Sequence, residues 1–422
     1  MTNEGNVSVL ELSLHGTTVG YLAGYRDGRT ILTFAPAFRS APGRPTFSLI
    51  THPAFPGAAD IMARPWAKRQ RLHPVLSNLL PEGALRDFLA QALKIHTDNE
   101  FELFVHLGQD LPGALVATAI EPAAIPDYVF DETTRASAVK PRVHNGEKRF
   151  SLAGVQMKFS MQERDGRYQM AETGALGDWI IKTPSTLHRQ VPLNEFTAMR
   201  LAGLAGVNTP DIRLVDVEKL ENLPAINLPG EEHAFAIRRF DREDGKRIHM
   251  EDFAQILVKY PADKYRSANY QQIARVLYQF SGDGLGDVQQ LARRLLVNIL
   301  LANGDAHLKN WSVIYPDTVT PSLSPAYDIV TTRVYMGDER EFALNLGKGK
   351  NWYSASLDQF KYWAGRADIP WRAIRPHLLD TMDKARSDWP GALKDLPMDD
   401  AHKTGLIAHW RNLHPDFRIE IT

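Results

Sequence analysis

The sequence predicts an α+β protein, with an α/β N-terminal part and a mostly helical C-terminal part. Three observations predict it. Apolar residues alternate with period two near the N-terminus, recur at helical spacing over most of the chain after Glu251, and follow a strand, strand, helix, strand order in between. At 422 residues the chain exceeds what one hydrophobic core usually serves, so two or three domains are expected.

The first domain is expected over residues 1–121. Leu10, Leu12 and Leu14 point one way and Val19 to Leu22 follow, which reads as two short strands about a turn at His15-Gly16. Asp27-Gly28 marks a second hairpin before Ile31, Thr33 and Phe34. Leu79, Leu80, Leu85, Phe88, Leu89 and Leu93 recur at roughly helical spacing, and no catalytic constellation is evident in this part. A polar stretch with Pro122, Pro126 and Pro141 makes residues 122–148 a connecting segment.

Residues 149–242 carry strand signals at Phe150–Met161, Trp179–Lys182 and Ala234–Phe240. The intervening helix is expected to start near Asn194, a good N-cap, with Phe196, Met199 and Ala202 along one side and Gly206 as its stop. Residues 243–422 read as mostly helical, interrupted by a polar loop and strand region at Asn303–Leu346.

Composition narrows the function classes. Hydrophobic residues make up 44% and charged residues 23%, ordinary for a globular protein. The net charge of -1 gives no field that seeks nucleic acid, so DNA contact would need a local basic patch or a separate DNA-binding partner. The absence of cysteine excludes disulfides, thiolate metal sites and cysteine nucleophiles, and suits a reducing cytosol. The N-terminus is polar and acidic, unlike a secretory signal, and the apolar run at Leu291–Leu301 is broken by Arg293, Arg294 and Asn298, so no membrane span is expected.

The polar loop is the informative stretch. A buried helix through Leu291, Leu295, Ile299 and Leu300 ends at Asn303-Gly304, and Asp305-Ala306-His307-Leu308-Lys309-Asn310 follows directly. Trp311, Val313 and Tyr315 then alternate as a strand, and a second acid stands in Ala326-Tyr327-Asp328. Phosphoryl transfer needs one carboxylate to hold the acceptor hydroxyl, and an amide oxygen plus another carboxylate to hold Mg²⁺ against the phosphates. Asp305 and Asn310 have the separation of that pair in protein kinases, and Asp328 comes later, after a strand pair. Alone, Asp305 and Asn310 would read as turn residues; their place after a buried helix favours the chemical reading.

Other residues leave two readings open. His307 could orient phosphate or Asp305, or be a satisfied structural histidine. Lys309 could touch phosphate or be solvated. Lys182 follows an apolar strand and could bind phosphates with Glu195 holding it, or be a strand-end lysine in water. Ser151-Leu152-Ala153-Gly154-Val155-Gln156-Met157-Lys158 has small residues suited to phosphate approach but matches no generic phosphate loop.

Taken in order, these segments resemble the HipA kinase family. The stretch from Ser151 to Lys158 resembles that family's S-[IL]-[AP]-G-x-Q-x-K loop. Ile180-Ile181-Lys182, Asn194-Glu195, Arg239-Phe240-Asp241-Arg242, Glu251-Asp252-Phe253, Gly304 to Asn310 and Ala326-Tyr327-Asp328 follow in the family's order. Val19-Gly20-Tyr21-Leu22, Asn78-Leu79-Leu80-Pro81-Glu82-Gly83 and His106-Leu107-Gly108-Gln109-Asp110 are similar too, so the resemblance covers nearly the whole chain.

The resemblance implies a kinase-like fold, with an α/β N-terminal domain, an all-α C-terminal domain and ATP in the cleft between them. It implies a cytoplasmic serine/threonine protein kinase, the toxin of a type II toxin–antitoxin pair. The implied partners are a HipB-like helix-turn-helix antitoxin, operator DNA mainly through that antitoxin, and glutamyl-tRNA synthetase as substrate, with multidrug tolerance (persistence) as the outcome. By the same resemblance Asp305 is the catalytic base, Asn310 and Asp328 bind Mg²⁺, and Lys182 binds phosphate with Glu195 in support. Ala153, Gly154, Val155, Gln156, Met157 and Lys158 cover the nucleotide, with Arg238, Arg239, Phe240, His307, Leu308, Lys309, Asn310, Tyr327 and Asp328 around it. Ser151 matches the family's autophosphorylated, self-inactivating serine. Met157 and Arg238 depart from the glutamates common at those places. Two rivals stand beside this reading: a small-molecule phosphotransferase, and a catalytically silent co-repressor bracing a DNA-binding antitoxin.

Overall fold

The computed structural model describes residues 9–130, 156–170, 176–224 and 228–421. Much of the connecting segment, and Ser151, Ala153, Gly154 and Val155, lie outside the described residues.

The N-terminal part is built on a five-stranded antiparallel sheet. Its strands are β1 (Val9–Leu14), β2 (Thr17–Gly24), β3 (Arg29–Phe34), β4 (Trp66–Arg69) and β5 (Leu115–Ala119), in the order β4-β3-β2-β1-β5. The β1–β2 turn forms where expected, because His15 (φ 50°) and Gly16 (φ 76°) both take the left-handed backbone that a tight hairpin requires. Leu10, Leu12 and Leu14 are wholly buried in this part's core. Five helices accompany the sheet: α1 (Pro36–Ser40), α2 (Ala58–Ala63), α3 (Pro74–Ser77), α4 (Gly83–Leu93) and α5 (Glu100–Leu107). The apolar run read as one helix divides. Leu79 and Leu80 pack in the core ahead of α4, since Pro81 disfavours helix for the residue before it.

The middle part is a six-stranded sheet in the order β10-β7-β6-β8-β11-β9. Its strands are β6 (Lys158–Arg164), β7 (Arg167–Met170), β8 (Trp179–Lys182), β9 (Ile212–Asp216), β10 (Leu220–Glu221) and β11 (His233–Arg238). Helix α6 (Val191–Leu204) packs against β9 and β11. Its start corrects the sequence reading. Gln190 is the N-cap, Pro192 sits in the first turn where its missing N–H is harmless, and Asn194 lies inside the helix, fully buried. Gly206, at φ 84°, follows the helix end as expected.

The C-terminal part begins with the hairpin β12 (Arg242–Glu243) and β13 (Lys246–Arg247). It continues through β14 (His249–Asp252), α7 (Phe253–Ile256), α8 (Tyr270–Phe280) and α9 (Gly284–Leu300). Then come β15 (Ser312–Tyr315), β16 (Ser322–Leu323), β17 (Glu341–Leu346), β18 (Gly349–Asn351), α10 (Leu357–Arg366), α11 (Trp371–Asp395) and α12 (Asp400–Asn412). Helices dominate, with two small sheets, β14-β15-β16 and β17-β18, set among them. Helix α9 runs through the centre, packed by α8 and α11. Trp389 and Trp410 are wholly buried, and their indole N–H groups donate to Leu201 O at 2.9 Å and Leu300 O at 2.8 Å. Each such ring removes about 150–250 Å² from water, worth about 4–6 kcal/mol of transfer free energy.

The parts are interlocked. Leu49 of the N-terminal part lies wholly buried in the C-terminal core, and Phe55 stacks on Phe280 at 5.7 Å between ring centres. Glu251 of β14 accepts hydrogen bonds from Ser48 Oγ (2.8 Å), Leu49 N–H (2.6 Å) and the Tyr315 hydroxyl. Asp241 accepts the Gly113 N–H at 2.8 Å. No helix among the described residues is long and apolar enough to cross a membrane.

Candidate active site

Lys182 ends β8, carried inward by its strand. Cross-strand register sets it opposite Lys158 of β6 and Phe235 of β11, so the three side chains share one face of the sheet. Its ammonium is buried and ion-paired to both Glu195 Oε1 of α6 and Asp328 Oδ1. Burial opposes the charge on Lys182, but Asp328 and Glu195 outweigh it and hold the ammonium above its usual value. At Asp328 burial is likewise overcome, by Lys182 and Lys158, and the carboxyl is held well below the usual range. Glu195 goes the other way, since burial and the neighbouring Asp328 push it up to about 7 against the pull of Lys182. Asp328 sits at φ 54°, a left-handed conformation that Asp tolerates better than most residues.

The Asp305 loop hangs from the end of α9. Ala302 turns the chain at φ 51°, and Asn303 braces the loop from its first residues. Its Oδ1 accepts the Asp305 N–H at 3.0 Å, and its Nδ2 donates to Asn298 Oδ1 at 2.7 Å and reaches Asp328 O at 3.5 Å. Gly304 N–H donates to Thr332 Oγ1 at 2.8 Å, and a Cβ at Gly304 would come within 2.1 Å of the Glu339 carboxylate. The Asp305 side chain is half exposed, and its Oδ1 accepts the Tyr265 hydroxyl. Asn310 Nδ2 donates to Asp305 O at 2.8 Å, which directs its amide oxygen elsewhere. His307 is buried with Nε2 at 3.9 Å from Asp305 Oδ1, while Nδ1 has no partner among the described residues. Burial, aided by Lys264, pushes His307 down to about 4 against the attraction of Asp305, so the ring is neutral near pH 7.

The structure therefore brings Lys182, Glu195 and Asp328 into contact, and Asp305, His307 and Asn310 into one loop linked to Asp328 through Asn303. Several expected residues are engaged elsewhere. Lys309 binds Glu82 Oε1 at 2.8 Å and Asn78 O at 2.9 Å. Arg239 is paired with Asp241 and donates to Ser160 Oγ at 2.9 Å, while Arg238 is exposed. Leu308 is wholly buried in the core. Met157 is buried in the apolar cluster that also holds Ala84 and Phe88, which accounts for an apolar residue there. Phe240 faces Tyr327 at 5.6 Å, and the Tyr327 hydroxyl donates to Lys309 O at 2.8 Å.

Asn303, Tyr265 and Glu339 were missed in sequence. Asn303 carried a signal, a polar side chain directly ahead of Gly304-Asp305, but it reads equally well as a helix stop. Tyr265 and Glu339 reach the loop only through tertiary structure.

Known proteins match this chain in sequence and fold. The family model described as HipA-like C-terminal domain covers residues 150–389, and that described as HipA N-terminal domain covers residues 10–118. The chain belongs to the HipA family of kinase toxins. It is 39% identical over 397 residues, 93% of this chain and 94% of the relative, to the Sinorhizobium fredii protein named "Putative kinase Y4dM". It is 25% identical over 369 residues, 80% of each chain, to the serine/threonine-protein kinase toxin HipA of Shewanella oneidensis. A HipA-type fold is also seen in a solved chain from the Shewanella oneidensis HipA, HipB and operator DNA complex. That chain superposes with a TM-score of 0.70 at 21% identity, over 96% of this chain and 97% of the other.

Proposed function

We propose that this HipA-family chain is an ATP- and Mg²⁺-dependent protein serine/threonine kinase, the toxin of a type II toxin–antitoxin pair. One observation carries the reading: a buried lysine is held between Glu195 and Asp328, beside a loop that presents Asp305 and Asn310. A lysine fixed by a helix glutamate is the phosphate anchor of kinases, and the acid after it is the metal holder.

Asp305 is the base that accepts the substrate hydroxyl proton. Its half-exposed carboxylate keeps Oδ2 available while Tyr265 occupies Oδ1. Asn310 Oδ1 and Asp328 are the hard oxygen donors for Mg²⁺. Among the described residues no cluster of three or more acids and histidines could hold a metal alone, which suits an ion that keeps water and phosphate ligands. Bound there, Mg²⁺ would neutralise charge on the transferring phosphoryl group. Lys182 and Lys158, on one face of the sheet, supply positive charge to the phosphates. Neutral His307, its Nδ1 without a partner among the described residues, can donate a hydrogen bond to the phosphates without adding charge.

The finer points of the reading rest on family resemblance. Ser151 is the autophosphorylation site, a HipB-like antitoxin is the partner that carries operator DNA contact, and glutamyl-tRNA synthetase is the substrate. The chain's charge of -1 agrees with delegating DNA to a partner. Labelling with radioactive ATP, with and without glutamyl-tRNA synthetase, tests the proposal. Purified protein should label itself on Ser151, and Asp305→Asn should abolish labelling. Labelling that survives Asp305→Asn would sink it.

A further inference from the structure

Glu82 stands at the start of α4, in the N-terminal part, yet its side chain makes no hydrogen bond to that helix. It reaches across to the C-terminal part and divides its two oxygens between two lysines. Oε2 lies 2.8 Å from Lys264 Nζ and Oε1 lies 2.8 Å from Lys309 Nζ. Each lysine adjoins a residue that touches Asp305. Tyr265 follows Lys264 and gives its hydroxyl to Asp305 Oδ1. Asn310 follows Lys309 and donates to Asp305 O at 2.8 Å. The two lysine segments are joined directly as well, since Leu308 N–H donates to Lys264 O at 3.2 Å. Asn78 reinforces the grip: its Nδ2 donates to Lys259 O at 2.7 Å, and its O accepts from Lys309 at 2.9 Å.

We propose that Glu82 is a positioning residue for the phosphoryl-transfer centre, a carboxylate of the N-terminal part that fixes Asp305 by clamping the segments on both sides of it. The inference rests on the kinase reading above. Its physics is a change of sign. With Glu82 charged, two ammonium groups are drawn to one point; with it neutral, they repel one another and the segments separate. The three side chains are only partly buried, so the clamp contributes little to global stability. Catalysis is far more sensitive, because a displacement of about 1 Å at a reacting group can lower the rate about 100-fold.

The test uses the full chain and the isosteric variant Glu82→Gln. Labelling by ATP should show kcat reduced about tenfold or more, KM for ATP changed less than about twofold, and a melting temperature within a few degrees of the parent. An unchanged kcat overturns the proposal. Lys309→Met should lose a similar factor, and the double variant should be no slower than the worse single one, because both remove one clamp. Losses that multiply overturn it. Amide hydrogen exchange supplies a readout independent of activity. Exchange at Leu308 should quicken in Glu82→Gln, and an unchanged rate there overturns the clamp. Faster exchange in a protein that fails to label even as wild type would instead leave the clamp standing and remove the kinase reading.

Discussion

Asn194 and Thr331 exchange two hydrogen bonds, with Nδ2 donating to Thr331 O at 3.1 Å and Thr331 N–H donating to Oδ1 at 2.9 Å. Both residues are buried. The exchange ties α6, one residue before Glu195, to the chain just beyond Asp328. Asn194→Ala would leave the Thr331 N–H and C=O without these partners, each worth about 1–3 kcal/mol when buried. A loss of about 2–4 kcal/mol in urea unfolding is expected, together with weaker nucleotide binding. Unaltered stability would contradict the bridging role.

Lys182→Met removes the cation shared by two buried carboxylates. Breaking such a group by deleting one partner costs about 3–5 kcal/mol. The parent's Asp328 has a depressed folded pKa, so its contribution is present above the unfolded value of 3.8 and is lost as pH falls through the lower folded value. The parent's Glu195, raised to about 7, contributes in the opposite sense and already gains stability as pH falls from about 7 to about 5. Without Lys182 acid also relieves unscreened repulsion between Glu195 and Asp328, so the variant's gain over that range should exceed the parent's. Unfolding curves at the two pH values decide it.

Tyr265→Phe deletes the hydroxyl on Asp305 Oδ1 and leaves the ring beside His307. The carboxylate then rotates more freely. Steady-state labelling should show kcat lower by about tenfold with KM for ATP little changed, in line with the sensitivity of catalysis to orientation. A variant as fast as the parent would show that Tyr265 does not orient Asp305.

Glu251 accepts three hydrogen bonds with no cation among those partners, and burial pushes it up to about 7 despite Tyr315, Ser48 and Leu49 pulling downward. A raised folded pKa places its stabilising contribution below the unfolded value of 4.5 and removes it as pH rises through about 7. Glu251→Gln abolishes that titration. The stability difference, parent minus variant, should therefore shrink between about pH 5 and about pH 8 by an amount on the order of 2 kcal/mol. A difference that stays constant with pH would rule this out.

Local physics explains what could be read in advance. The β1–β2 turn follows from His15-Gly16, and β8 spans the expected Trp179–Lys182, because an apolar run ending in a charge marks its own limits. The loop from Asp305 to Asn310 was legible because its polar residues follow an apolar helix. Asn194 misled because its amide caps no helix; it serves Thr331, far away in sequence. The partner of Lys309 was illegible for the same reason, since Glu82 belongs to a distant part of the chain. Met157 shows the limit of motif matching, because its burial in one apolar cluster with Phe88 of α4 is a property of the assembled parts.

Leu49 makes the division into halves less clean than family boundaries suggest. Its side chain belongs to the C-terminal core, and Ser48 and Leu49 supply two of the three donors on Glu251. A fragment beginning after the N-terminal part would carry a hole where Leu49 sits and a buried carboxylate short of donors. The C-terminal half therefore depends on residues 46–55 and on Asn78 and Glu82 of the N-terminal part, and chimaeras between relatives should take all of these from the parent that supplies the C-terminal half.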